Sequence, residues 1–232
     1  MRKIWIPSPF CHSRNTSHPL DIIVIHHIGS NDNKLYSVNG TVTWFTNKEI
    51  HRNKKTGKIE NKVSAHYIIP REEYKEHDVI HLVEDTDVAY HAGYSQWTVD
   101  GKTRKNLNKY SIGIELEGDG NLVEYTDFQY EYLIELTKKL MNDYNIPEDN
   151  IVGHEDISPG RKVDPGKSFD WKRLRTGVNP PVMVMPPVEI KSSTPSEPEV
   201  EDEVVMEGGE DKVGAPNSFI FLLSNLLKKF FS

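Results

Sequence analysis

The chain has 232 residues and a formal net charge of −7 at neutral pH, from 35 acidic and 28 basic residues. This length suits one domain of ordinary size with additional segments, and the absence of a basic patch argues against nucleic acid as a partner. Cys11 is the single cysteine, which excludes an internal disulfide framework, so the fold must depend on its core and on any bound metal.

The first nine residues do not resemble a secretory signal. They include Arg2 and Lys3 but no sustained apolar core and no small-residue cleavage site. We therefore expect a protein that is made in the cytoplasm and stays there, unless a holin-type pore or lysis releases it to the cell wall.

The predicted secondary structure is a succession of strands and helices. At the start of the long second helix, Thr126 and Gln129 match the capping-box pattern. The order of elements predicts an α/β fold with a mixed central β-sheet flanked by helices. We predict strands at 21–27, 64–69, 78–83, 110–117 and 151–153, and helices near 37–50, 127–143 and 168–175.

The first predicted strand ends in a pair of histidines, His26 and His27. The apolar, β-branched run before them is typical of a buried strand, whose end is a rigid platform for a metal ligand. Strand alternation sends the two side chains to opposite faces, so one of them at most points toward a given site. The alternative is a histidine that simply packs in the core.

A later predicted strand carries two carboxylates. Alternation places Glu115 and Glu117 on the face opposite Ile112, Ile114 and Leu116. A carboxylate is costly to bury on a central strand unless it has a function or a partner, so one of the two could be a general base. The alternative is an edge strand on which both are solvated.

The segment 152–171 places His154, Lys162 and Asp164 on one irregular loop. Pro159, Gly160 and Pro165 interrupt any helix there, so the chain can fold back and bring residues ten apart together. A catalytic zinc takes three protein ligands and leaves a fourth position for water; His154 and Asp164 could supply two of them. The alternative is a polar surface loop with a capping aspartate.

Seven separated motifs together resemble one enzyme family over roughly residues 6–175. The family is that of the zinc-dependent N-acetylmuramoyl-L-alanine amidases (amidase type 2), which includes peptidoglycan-recycling amidases, phage endolysin amidases and peptidoglycan recognition proteins. Its implied fold agrees with the predicted one. The motifs are SPFCHSRN, IVIHHIGS, VTWFTNKE, VSAHYII, VAYHAG, YSIGIELEG, and GHEDISPGRKVDPG followed by FDW.

The resemblance implies a role for each candidate residue. It assigns the zinc ligands to His26, His154 and Asp164, the catalytic acid–base to Glu115 and the charge-stabilising group to Lys162. The implied reaction is hydrolysis of the amide between the lactyl group of N-acetylmuramic acid and L-alanine of the peptidoglycan stem peptide.

One position departs from part of the family. Some members have a catalytic tyrosine where this chain has Ala65, so the resemblance favours the mechanism that uses Glu115 and Lys162, as in the recycling-type branch. Two further motif histidines, His66 and His91, could line the cleft or be structural. Arg161 could steer a stem-peptide carboxylate or simply be solvated.

The composition changes after residue 178, where the predicted catalytic domain (1–178) ends. Residues 179–216 are rich in Pro, Ser and Glu and predict an acidic, disordered linker. Residues 217–232 have apolar side chains at helical spacing and predict an amphipathic C-terminal helix. It is too short to span a bilayer and could make peripheral membrane contact, or dock on the domain or on a second copy.

Three functions follow from these patterns. The first is an amidase in cell-wall lysis or remodelling, similar to an endolysin. The second is a cytoplasmic amidase that recycles muropeptides. The third is a non-catalytic module that binds peptidoglycan or regulates a partner, against which the intact set of candidate site residues argues.

Overall fold

The computed structural model describes residues 1–179, and within that range it forms twelve strands and four α-helices. The predicted tail helix and all but the first residue of the predicted linker lie outside the described residues. No helix within residues 1–179 has the length and apolar content needed to cross a membrane.

The strands are β1 (Lys3–Trp5), β2 (Cys11–Ser13), β3 (Ile22–His27), β4 (Ser30–Asn31), β5 (Lys34–Leu35), β6 (Tyr67–Ile69), β7 (Val79–His81), β8 (Asp87–Ala89), β9 (Gln96–Val99), β10 (Lys102–Lys105), β11 (Ser111–Leu116) and β12 (Ile151–Gly153). The α-helices are α1 (Val38–Thr46), α2 (Asp127–Tyr144), α3 (His154–Ile157) and α4 (Trp171–Val178), and 3-10 helices cover Lys48–His51, Leu107–Lys109 and Glu148–Asn150.

Six of the strands form one mixed sheet in the order β1-β7-β6-β11-β3-β12. The pair β6–β7 is antiparallel, and the other neighbours are parallel. Because β11, β3 and β12 run in the same direction, their carboxyl ends meet at one edge, which is where open α/β sheets bind ligands. The predicted α/β fold, a mixed sheet flanked by helices, is confirmed.

The two faces of this sheet pack against different partners. Helices α2 and α4 cover one face and bury the larger apolar core. On the opposite face, β3 and β12 pack against Ala92 and against residues of β9, α3 and the 3-10 helix Leu107–Lys109, while Val42 and Phe45 of α1 pack near β6 and β7. Each fully buried Leu or Ile contributes about 1.5–3 kcal/mol relative to an exposed position. The larger core includes Ile23, Ile25, Ile112, Ile114, Leu116, Leu133, Leu136, Leu140 and Leu174.

Seven of the twelve strands in residues 1–179 are not predicted by the sequence patterns above, among them β1 and both strands of the β9–β10 hairpin. Strand β1 has three residues, none of them buried, so it lacks the apolar run that predicts a strand. The β9–β10 hairpin had a usable signal, because Asp100 and Gly101 at its turn both have positive φ (49° and 71°), as a two-residue type I′ turn requires. The first predicted helix ends at Thr46, because Asn47 caps the following 3-10 helix.

Candidate metal centre and active site

Strand β3 delivers His26 to the carboxyl edge of the sheet. The residues before it, Ile22–Ile25, are fully buried, and His26 itself is buried. His27 points to the other face, where its Nδ1 accepts a hydrogen bond from the Gly120 amide at 3.1 Å. The alternation predicted for the pair is therefore present, and His26 is the member that faces the candidate site.

His154 and Asp164 reach the same place from β12 and the loop after it. His154 is the first residue of α3, directly after Gly153, which pairs with Ile25 in β3. A Cβ on Gly153 would lie 2.8 Å from Pro165, so the strand and the returning loop approach as closely as they do because glycine is there. The Glu155 amide donates to the Asp164 carbonyl at 2.9 Å and closes the loop.

The ligating atoms of these three residues form a compact triangle. His26 Nδ1, His154 Nδ1 and Asp164 Oδ2 lie 3.0 Å from one another. All three side chains are buried, and they could hold a metal ion. Tetrahedral zinc with ligand bonds of ~2.0–2.1 Å separates its ligand atoms by about 3.3 Å, so the triangle needs little adjustment.

The hydrogen bonds of the imidazoles agree with a cation at this position. His154 Nε2 lies 3.1 Å from the Ala92 carbonyl, which can only accept, and 3.4 Å from Arg161 Nη2, which can only donate. The shorter contact places the proton of a neutral ring on Nε2, so that Nδ1 keeps its lone pair. Burial lowers the pKa of His26 to about 4, more than the hydrogen bond with Asp164 raises it, so the His26 ring is neutral at pH 7. Lone pairs and a carboxylate that face one another at 3.0 Å are compatible with a bound metal ion.

Glu115 lies beside His26 because the β3–β11 register pairs the two residues. Its side chain is 8% exposed, and within residues 1–179 its Oε2 has no hydrogen-bond partner. Burial, and then the charge of Asp164, raise the pKa of Glu115 well above its ordinary value, against the opposing effect of Lys162. Burying a carboxylate without a partner lowers the stability of the fold. A buried carboxyl group with a raised pKa is a candidate for proton transfer.

Both carboxylate oxygens of Glu117, the other acidic residue of this strand pattern, accept hydrogen bonds from the backbone. Its Oε1 accepts the Val38 amide at 3.1 Å and its Oε2 accepts the Arg71 amide at 2.9 Å. Neither oxygen is therefore free for proton transfer. Because β11 lies between β6 and β3, the alternative of a solvated edge strand is wrong.

Lys162 is half-buried in the loop between His154 and Asp164. Its positive charge is among the influences that lower the pKa of both Glu115 and His26, so its charge reaches the site that contains them. The five residues singled out from the sequence are therefore brought together at one edge of the sheet. An ammonium group there can stabilise negative charge that develops on a substrate.

Two of the remaining motif residues, His66 and Arg161, bond mainly to backbone groups. His66 is fully buried and bonds to backbone groups of Gly113 and Asp87. Arg161 is exposed, yet one of its terminal nitrogens donates to the carbonyls of Ala92 and Tyr94, so it ties two loops together. His91 is the exception, because the sequence analysis missed its direct contact with His26, at 2.9 Å between His26 Nε2 and His91 Nδ1.

Comparison with known proteins is consistent with this geometry. The family model described as "N-acetylmuramoyl-L-alanine amidase" (Amidase_2) matches residues 16–167. Among curated proteins, "1,6-anhydro-N-acetylmuramyl-L-alanine amidase AmpD" of Escherichia coli (strain K12) is 42% identical over 118 residues, which are 51% of this chain and 60% of that protein. The chain thus spans about 60% of the length of the first curated relatives that it matches.

Two solved structures resemble the fold. A crystal structure of a selenomethionine AmpD derivative aligns with a TM-score of 0.61 and 32% identity, over 76% of this chain and 94% of that one. The amidase AmiD from E. coli, solved with anhydro-N-acetylmuramic acid-L-Ala-D-gamma-Glu-L-Lys, aligns with a TM-score of 0.53 and 29% identity, over 71% of this chain and 60% of that one. With the family model covering well over half of its residues, this chain belongs to the N-acetylmuramoyl-L-alanine amidase family.

Proposed function

We propose that this protein is a zinc-dependent N-acetylmuramoyl-L-alanine amidase that acts on soluble muropeptides in cytoplasmic recycling. The observation that carries the proposal is the buried triangle of His26, His154 and Asp164, 3.0 Å on each edge. Beside it on the adjacent strand is Glu115, whose Oε2 has no hydrogen-bond partner within residues 1–179. Membership of the amidase family supplies the reaction class. The bond cleaved would join the lactyl group of N-acetylmuramic acid to L-alanine of the stem peptide.

The donor set supports zinc as the metal. Two imidazoles and one carboxylate are common ligands of catalytic zinc, whereas Mg²⁺ and Ca²⁺ prefer all-oxygen sites. Three protein ligands leave room for water and substrate. When bound, zinc supplies a Lewis acid that lowers the pKa of water toward ~7 and polarises the amide carbonyl.

The chain's own side chains provide the remaining chemistry. Glu115 would accept the proton of the attacking water, and its raised pKa suits it to pass that proton to the departing amine of L-alanine. Lys162 would face the oxyanion that forms when the carbonyl carbon becomes tetrahedral. Because Ala65 is buried and has no hydroxyl group, no tyrosine takes part from that position.

The names of the relatives support recycling over the endolysin-like alternative. The first curated relatives are called 1,6-anhydro-N-acetylmuramyl-L-alanine amidases, and the AmiD structure contains an anhydro-muropeptide. An anhydro-muropeptide is thus the substrate class to test first. Neither endolysin-like lysis nor release through a holin-type pore gains support from these relatives.

A parallel digest tests the proposal. Purified anhydro-muropeptides and intact peptidoglycan are incubated with zinc-loaded and chelator-stripped protein, and the products are identified by mass spectrometry. We expect zinc-dependent release of free stem peptide, with a higher kcat/KM for the soluble substrate. Faster release from intact wall would instead favour lysis, and no release from either substrate would favour the binding module.

A further inference from the structure

We infer that His91 is a positioning residue of the metal centre, which holds His26 in the tautomer and orientation that metal binding requires. The inference rests on the proposed function, because it concerns how a proposed metal ligand is oriented. His91 is buried, and its ring meets that of His26 edge-on, with the centroids 5.0 Å apart. Both of its ring nitrogens are engaged within the protein, so it does not act on substrate itself.

The Leu107 carbonyl fixes the direction of each hydrogen bond in a chain of contacts that runs through Ser111 and His91 to His26. The Ser111 hydroxyl donates to the Leu107 carbonyl at 2.6 Å, and a carbonyl can only accept. Since its proton is committed there, Ser111 Oγ accepts from His91 Nε2, at 3.3 Å. In a neutral ring this leaves His91 Nδ1 as an acceptor.

The last hydrogen bond in this chain of contacts reaches the candidate metal centre. His91 Nδ1 accepts from His26 Nε2 at 2.9 Å, so the proton of His26 is held on Nε2. Its Nδ1 then keeps the lone pair that points at His154 and Asp164. A metal-binding histidine typically donates its other nitrogen to a carbonyl, carboxylate or water. Here a neutral imidazole takes that place, and its acceptor character depends on Ser111.

The backbone around His91 is arranged to hold it there. A Cβ on Gly113 of β11 would lie 2.4 Å from His91 Cγ, so the ring occupies the space that any other residue at position 113 would fill. Asn108 Oδ1 accepts the amides of His91 at 3.1 Å and Ala92 at 2.7 Å. The next carbonyl, that of Ala92, accepts from His154 Nε2. One two-residue segment therefore orients both histidines of the triangle.

Zinc affinity separates this role from a purely structural one. We compare His91→Phe with His91→Asn in the full chain, using competition between protein and a chromophoric chelator for Zn²⁺. The phenyl ring removes the acceptor for His26, and we expect a loss of zinc affinity of about 10–100-fold. The asparagine Oδ1 can replace Nδ1 as acceptor, so His91→Asn should recover most of the affinity. His51→Phe, at another buried histidine that bonds to the Trp44 carbonyl, should leave zinc affinity unchanged.

The tautomer is measured on the wild-type protein and needs no variant to fold. Long-range proton–nitrogen correlations on zinc-loaded, ¹⁵N-histidine-labelled protein should show His91 neutral, with the proton on Nε2. A proton on His91 Nδ1, or a zinc affinity of His91→Phe equal to wild type, would overturn the inference and leave the proposed function standing. A wild-type protein that binds no zinc would overturn both.

Discussion

Two glutamates, two residues apart in one strand pattern, have different surroundings, and for that reason we propose different roles for them. Glu115 is buried beside His26 with one oxygen unpartnered among the described residues, whereas Glu117 accepts two backbone amides. A buried polar group without a partner lowers stability, and proteins retain such groups where function needs them. Residue type and spacing alone do not distinguish the two.

Matched substitutions of the two glutamates should separate catalysis from stability. Glu115→Gln removes a base but no internal hydrogen bond, so we expect turnover to fall at least ~10²-fold with no loss of unfolding free energy. Glu117→Gln turns an amide NH₂ toward a backbone N–H, so we expect a loss of about 1–3 kcal/mol in unfolding free energy with zinc affinity retained. Urea denaturation, a zinc titration and the muropeptide assay measure the three effects.

The opposite results would exchange the roles assigned to Glu115 and Glu117. Retained turnover in Glu115→Gln would remove that residue from the role of base. Inactivity of Glu117→Gln in a fully folded, zinc-loaded protein would place Glu117 in the reaction instead.

At the scale of the elements, helix α2 is capped by side chains that also bind the sheet. Thr126 Oγ accepts the Gln129 amide at 3.2 Å, and Gln129 Oε1 accepts the Thr126 amide at 3.1 Å, which confirms the predicted capping box. Gln129 is fully buried, and its Nε2 also donates to the carbonyls of Glu117 at 2.8 Å and Ile69 at 3.3 Å. The cap therefore fixes the helix start against β6 and the end of β11.

Removing this glutamine should therefore affect more than the helix end. We expect Gln129→Ala to lower the unfolding free energy by about 1–3 kcal/mol, because the Glu117 carbonyl loses a buried donor and the capping box is broken. The exposed residue Glu131 on the same helix serves as control, and Glu131→Ala should stay within about 0.5 kcal/mol of wild type. Equal urea midpoints for the two variants would show that the contacts to the sheet contribute nothing.

At the scale of the whole domain, the proposed metal would join segments far apart in sequence. His26 lies 128 residues from His154 and 138 from Asp164, and they come from β3, α3 and the loop before α4. A ligand that binds the folded state alone stabilises it in proportion to the logarithm of its concentration over Kd. Zinc binding should therefore raise the stability of the entire fold.

Thermal unfolding measures this linkage. At free zinc of ~100 times Kd we expect a gain of about 2.7 kcal/mol, which for a domain of this size is a rise in Tm of ~5–10 °C. His154→Ala should lose that rise, and His12→Ala, at an exposed histidine outside the triangle, should keep it. An equal rise in His154→Ala would mean that zinc stabilises the protein somewhere else.

The amino-acid sequence by itself determined the class of fold, the long capped helix and the family. These depend on local information: β-branched runs, the Thr126–Gln129 pattern and motifs whose order along the chain can be read directly. The alternation of the strand at 110–117 likewise separated the faces of Ile112 and Glu115. Local rules also predict the hairpin at Asp100 and Gly101, because an Asp-Gly pair favours a two-residue type I′ turn.

The tertiary structure alone decided which residues meet and what each one does. Strand register and order are long-range properties, and they put Glu115 beside His26 on a central strand and gave Glu117 two backbone amides. The same holds for His91, whose ring lies against His26 because Gly113 leaves space for it. A histidine's role depends on the partners of its two nitrogens, and those partners lie far away in sequence, on segments that only folding brings together.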